Sequence, residues 1–113
     1  DLKIGYNVFM NNFCSVNCLE HIEIGDNTLF GENVKIYDHN HRYERTENGL
    51  RLSHSEFTTA PVKIGKNCWL GSNVTVLKGV TIGDNCIIGA GCTIAKDVPA
   101  NSTVINQQQL IFK

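Results

Sequence analysis

From Ile64 to Pro99 the sequence divides into six consecutive six-residue units: IGKNCW, LGSNVT, VLKGVT, IGDNCI, IGAGCT and IAKDVP. The first position is always a branched apolar residue (Ile64, Leu70, Val76, Ile82, Ile88, Ile94). The fifth is always a small or medium apolar one (Cys68, Val74, Val80, Cys86, Cys92, Val98). The fourth reads Asn67, Asn73, Gly79, Asn85, Gly91 and Asp97, all of types that enter the left-handed backbone region at low cost. Such a residue at every sixth position turns a short strand through a corner, and three corners close a triangle, so one coil takes 18 residues. Coils stacked at the interstrand spacing of about 4.8 Å place Ile64 on Ile82, Leu70 on Ile88 and Val76 on Ile94. The repeat predicts an all-β parallel β-helix, a solenoid whose core is a set of columns of like residues.

Composition agrees. Ile and Val together number 20 against 12 for Ala and Leu, which disfavours helix; 13 Asn and 10 Gly supply corners, and Pro occurs only twice. A formal net charge of -1 gives no basic footprint for nucleic acid or an anionic membrane. No apolar run approaches the ~18 residues of a membrane span, and no signal peptide is visible. Cys14, Cys18, Cys68, Cys86 and Cys92 are odd in number and form no CxxC pair. They read as reduced thiols of a cytoplasmic protein, not as a disulfide framework or zinc knuckle.

The N-terminal part repeats the theme with units starting at Ile4, Ile24, Phe30 and Ile36. Between them Met10 and Val16 keep the apolar positions, but the frame shifts by two residues before Ile24, and Phe13 and Leu19 fall where corners are due, so distorted corners are expected there. The polar segment from about Asp38 to Ala60 breaks the pattern and is expected to be a long loop leaving the prism, a kind of insertion usually tied to function. After Asn101 the pattern is lost again. The chain therefore reads as one β-helix domain over 1–113, with an insertion at about 38–60 and a tail at about 102–113.

The stretch from Trp69 to Ser102, WLGSNVTVLKGVTIGDNCIIGAGCTIAKDVPANS, resembles the hexapeptide-repeat acetyltransferases, and IYDHNH followed by APVKIGKNCWLGSNV resembles their maltose/galactoside O-acetyltransferase branch. The resemblance runs from Ile4 to about Thr103. It implies a left-handed β-helix, against the usual hand of parallel crossovers. It also implies a homotrimer with sites in grooves between subunits, and transfer of acetyl from acetyl-CoA to a hydroxyl, usually of a saccharide, with no metal.

A hydroxyl attacks well only when a base takes its proton, and histidine suits that role near neutral pH. The run Asp38-His39-Asn40-His41 offers two imidazoles. Counting from Ile36 as the family does makes His41 the base, with His39, at a corner position, as the alternative base and otherwise a substrate-binding residue. By resemblance the backbone N–H of Ser72 meets the thioester, Trp69 walls the groove, Ala90 contacts the pantetheine arm, Lys96 lies near the CoA phosphates, and Asn11 hydrogen-bonds the acceptor. Asp38 or a backbone carbonyl would orient the imidazole. Departures from the pattern are Cys18 and Leu19 where galactoside enzymes carry a sugar-binding acid, Ala95 before Lys96, and Ile105-Asn106-Gln107 in place of a Gly-x-Pro-Ala-Lys/Arg motif. Two rival readings stand beside the transferase: a non-catalytic β-helix scaffold, and a metal enzyme like the γ-class carbonic anhydrases using His39, His41 and His54.

Overall fold

A computed structural model describes residues 1–113. Three parallel sheets form the walls of a triangular prism. The first wall stacks Leu2–Ile4, Ile22–Ile24, Val62–Ile64 and Thr81–Ile82; the second Phe9–Met10, Leu29–Phe30, Trp69–Leu70, Ile87–Ile88 and Thr103–Val104; the third Ser15–Asn17, Lys35–Tyr37, Thr75–Val76 and Thr93–Ile94. Ile64 pairs with Ile82, Leu70 with Ile88 and Val76 with Ile94, so the central coil has the expected length.

The core consists of the first and fifth positions. Ile64, Leu70, Val76, Ile82 and Ile88, with Cys68, Val74, Val80 and Cys86, are almost fully sequestered from solvent. Burial of each such large side chain contributes roughly 1.5–3 kcal/mol against chain entropy. Thr28 puts a hydroxyl in this column, and it is satisfied: Oγ1 donates to the Gly65 carbonyl at 2.9 Å and accepts from the Cys68 N–H at 3.2 Å.

Corners form as the fourth position predicts. Asn67, Asn73, Gly79, Asn85 and Gly91 all have positive φ, as do Asn7, Asn27 and Asn33 of the earlier coils. Their amides also bond along the axis, with Asn33 Nδ2 donating to Asn73 Oδ1 at 2.7 Å and Asn85 Nδ2 to Asn101 Oδ1 at 3.1 Å. The glycine at the second position answers a different need. A Cβ on Gly71 would lie 2.8 Å from the backbone nitrogen of Ala90 in the next coil.

The structure departs from the six-residue ruler in four places. Asp97 does not have positive φ; its Oδ1 accepts the Thr81 N–H at 2.8 Å instead. Val98 bridges to Ile82, and Ile88 pairs with Val104, so the last coil is two residues short and its corner passes to Asn101, at φ 63°. In the first coil Ile4 pairs with Ile24 and Val16 with Ile36, a spacing two residues longer than the central one. Phe13 takes a left-handed corner (φ 65°) despite its bulk, whereas Leu19 does not, because the extra residues widen that corner.

The insertion is an antiparallel hairpin of His39–Thr46 and Gly49–Thr59, not an irregular loop. Gly49 (φ 117°) follows the tight connection. The connection itself is Glu47-Asn48, neither with positive φ, and the glycine supplies the left-handed residue that lets the second strand begin. His39 opens the first hairpin strand without positive φ, so it is not a corner residue.

Candidate active site

The hairpin leaves the prism at Asp38, whose side chain has no solvent exposure. Its carboxylate accepts the backbone N–H of Leu19 (2.9 and 3.1 Å to the two oxygens), Glu20 (2.7 Å) and His21 (2.9 Å), the residues of the widened corner. The remaining partner is His39 Nδ1, 2.8 Å from Asp38 Oδ1. Burial alone would raise the Asp38 pKa, but the His39 contact and the Leu19, Glu20 and His21 N–H groups outweigh it and hold it at about 2. Asp38 therefore orients His39, not His41.

His41 is oriented by a backbone carbonyl: its Nδ1 lies 3.0 Å from the oxygen of Ser53, on the opposite hairpin strand. A carbonyl can only accept, so Nδ1 carries the proton and Nε2 is left as the basic nitrogen. The His41 ring packs on Phe57 with centroids 4.7 Å apart, and His39 meets the same Phe57 edge-on at 5.4 Å. His39 and His41 border one open cavity of about 380 Å³ with Tyr37, Asn40 and Leu77. Ser53 and Phe57 went unnoticed in the sequence because only a paired hairpin brings them beside His41. His54 has its ring 6.5 Å from that of His41, and no three His, Cys, Asp or Glu side chains converge as metal ligands would.

A second cavity, of about 490 Å³, lies on the second wall and its following corner. It gathers Asn11, Trp69, Ser72 and Ala90 around Gly31, Gly71 and Gly89. The backbone here leaves a donor free. Some third-position N–H groups are capped by a side chain of the next coil, Tyr6 by Asp26 Oδ1 (2.9 Å), Lys66 by Asp84 Oδ1 (2.8 Å) and Glu32 by Ser72 Oγ (3.3 Å), while those of Asp26 and Asp84 are left uncapped. Ser72 faces Ala90 in that register, and a methyl group cannot accept. The Ser72 N–H makes no hydrogen bond within the chain. Beside it Trp69 is 54% exposed and continues an outward apolar column with Phe9, Leu29 and Ile87.

Lys96 lies apart from both cavities, near the C-terminal end of the prism, bordering a smaller apolar hollow with Ile94, Pro99 and Val104. It is exposed and makes no ion pair. One chain thus brings together Asn11, Trp69, Ser72 and Ala90 in one place and His39 and His41 in another.

These features define a hexapeptide-repeat left-handed β-helix carrying a histidine-bearing hairpin. Residues 61–96 match the family model described as bacterial transferase hexapeptide (six repeats). Nodulation protein L of Rhizobium meliloti (strain 1021) is 43% identical over 107 residues, covering 93% of this chain and 55% of that protein. Among solved structures, a hexapeptide-repeat acetyltransferase of Vibrio cholerae complexed with acetyl coenzyme A superposes with TM-score 0.79 at 27% identity, over 90% of this chain and 54% of that one. A galactoside acetyltransferase in complex with coenzyme A gives 0.78 at 36% identity, over 90% and 49%. The chain carries the hexapeptide repeat of bacterial transferases and is similar over about nine-tenths of its length to a hexapeptide-repeat acetyltransferase and a galactoside acetyltransferase. It spans about half the length of the relatives it matches.

Proposed function

We propose that this chain transfers acetyl from acetyl-CoA to a hydroxyl of a saccharide acceptor, with His41 as general base. The observation that carries this reading is the His41–Ser53 contact, which leaves Nε2 as the nitrogen able to take a proton. His41 Nε2 takes the hydroxyl proton as the acceptor oxygen bonds to the thioester carbonyl carbon. The oxyanion so formed needs a donor, and the unpaired Ser72 N–H supplies one. When the C–S bond breaks, the proton passes from His41 to the departing thiolate.

The groove of Trp69, Ser72 and Ala90 suits an extended pantetheine arm, being open and shallow beside small residues. Lys96 offers a free cation to the phosphates, and Asn11 an amide to the acceptor. Because the histidine cavity and this groove are separate on one chain, the site is completed by a second copy: the hairpin of one subunit lies against the groove of its neighbour in a homotrimer. The exposed Phe9, Leu29, Trp69 and Ile87 column supports such burial. Five free thiols suit a reducing compartment such as the cytoplasm.

The test is transfer of labelled acetyl from acetyl-CoA to a panel of saccharides by the purified chain, with His41→Ala alongside. Acetylated sugar from the parent and none from the variant supports the reading. Equal transfer by both removes His41, and no transfer to any saccharide removes the activity.

A further inference from the structure

The carboxylate of Asp38 gives His39 a fixed protonation pattern. Asp38 is ionised at neutral pH and can only accept, so the nitrogen facing it at 2.8 Å, His39 Nδ1, carries the hydrogen. Nε2 of the neutral ring is then a bare acceptor. His41 has the same pattern for a different reason, its Nδ1 being held by the Ser53 carbonyl. The two residues stand two apart on one extended strand, hence on the same face and about 6.6 Å apart along it. Both rings touch Phe57, and both border the same cavity. The two histidines share that space with Leu77, Tyr37 and Asn40, and their two acceptor nitrogens suit a ligand that brings two donors. Two hydroxyls on adjacent carbons, each making an O–H···N contact of about 2.8 Å, suit two imidazoles carried on one strand face at about that backbone separation.

We propose that Asp38 and His39 form the second half of the acceptor site, so that the acceptor is a polyol presenting two neighbouring hydroxyls, one to His41 for acetylation and one to His39 for recognition. This rests on the acetyl-transfer reading above. Asp38 is a positioning residue: it touches no substrate, but it fixes the His39 ring and ties the hairpin root to the widened corner at Leu19–His21. The site then reads a diol through imidazole, without the acid that galactoside enzymes use and that is replaced here by Cys18 and Leu19.

The experiment compares kcat/KM for methyl galactopyranoside and its monodeoxy derivatives, with acetyl-CoA saturating, in the parent chain and in His39→Phe, which keeps a ring against Phe57 but removes the nitrogen. In the parent, deleting the hydroxyl next to the acetylated one is expected to cost about tenfold or more, because the half-buried His39 acceptor loses its donor. In His39→Phe the ratio of sugar to deoxy-sugar falls toward about one. Nitrogen-15 NMR of the imidazoles supplies a readout independent of turnover: His39 carries its proton on Nδ1 in the parent and loses that preference in Asp38→Asn. An unchanged ratio in His39→Phe, an active parent indifferent to the neighbouring hydroxyl, or an Nε2–H ring in the parent overturns this proposal alone. A parent that acetylates no sugar overturns the transferase reading as well.

Discussion

His41 Nδ1 and the Ser53 carbonyl oxygen, 3.0 Å apart, bridge the two strands of the hairpin that the prism extrudes. The contact settles the tautomer of the ring and ties it to its own hairpin, so removing the imidazole leaves the prism untouched. His41→Ala is expected to lower turnover at least ~10²-fold while acetyl-CoA still binds. Steady-state kinetics and calorimetric titration check the two halves.

The bare Ser72 N–H depends on what position 90 lacks. Ala90→Asp installs the carboxylate that Asp26 and Asp84 provide at the equivalent places of other coils, where it caps the third-position amide. The variant is expected to fold at least as stably as the parent and to lose about 10²-fold in kcat, the usual cost of one oxyanion donor. Ala90→Val, which adds bulk without an acceptor, separates capping from crowding: it is expected to raise KM for acetyl-CoA more than it lowers kcat.

Asp38 makes the protein acid-sensitive in a defined window. Its pKa falls from 3.8 to about 2 on folding, so its contribution, about 2 kcal/mol, is complete above pH 4 and vanishes as pH falls through about 2. Urea titrations are expected to show stability declining between those values, and the decline is expected to be largely absent in Asp38→Asn. An equal decline in that variant would assign it to other carboxylates.

Phe13 carries backbone strain without packing in return. It is the one positive-φ residue other than Asn or Gly, and it is 81% exposed. Phe13→Asn is expected to stabilise the chain by about 1 kcal/mol, with an added amide contact to Asn33 like that of Asn7 with Asn27 (2.7 Å). Thermal unfolding monitored by circular dichroism measures it.

Assembly is tested at Leu29, whose exposed side chain stands next to Trp69 in the outward column. Sedimentation of the parent is expected to give a trimer. Leu29→Arg is expected to give monomers that keep the β-sheet spectrum and lose transfer. A fully active monomer would show that one chain holds a whole site.

The prism was readable in advance because every coil repeats one local rule, and the buried column from Ile64 to Ile88 follows it without exception. What escaped was set by contacts distant in sequence. Asp97 and Val98 look like a sixth regular unit, yet pairing with Ile82 draws the last coil in by two residues. Asp38 reads as a partner for a nearby imidazole, but most of its bonds go to Leu19, Glu20 and His21, 17 to 19 positions earlier. The hairpin hid behind its polarity, although Gly49 marks where its turn ends. Asn11, Trp69, Ser72 and Ala90 do meet in one groove, as stacking at fixed register requires, while His41 rides on the hairpin outside that register.

Leaving aside the rung that extrudes the hairpin, the perimeter of the prism shrinks along its axis: a long rung at the Ile4 end, an intermediate one from Ile64 to Ile82, a short one at Val98. Rungs of unequal girth are not interchangeable, so the stack has a built-in polarity and cannot slip by one storey without leaving a gap or a bulge. Duplication of a whole rung is accommodated only at the regular 18-residue one between Ile64 and Ile82. Evolution or an engineer can therefore make this protein taller there and nowhere else without rewriting its ends.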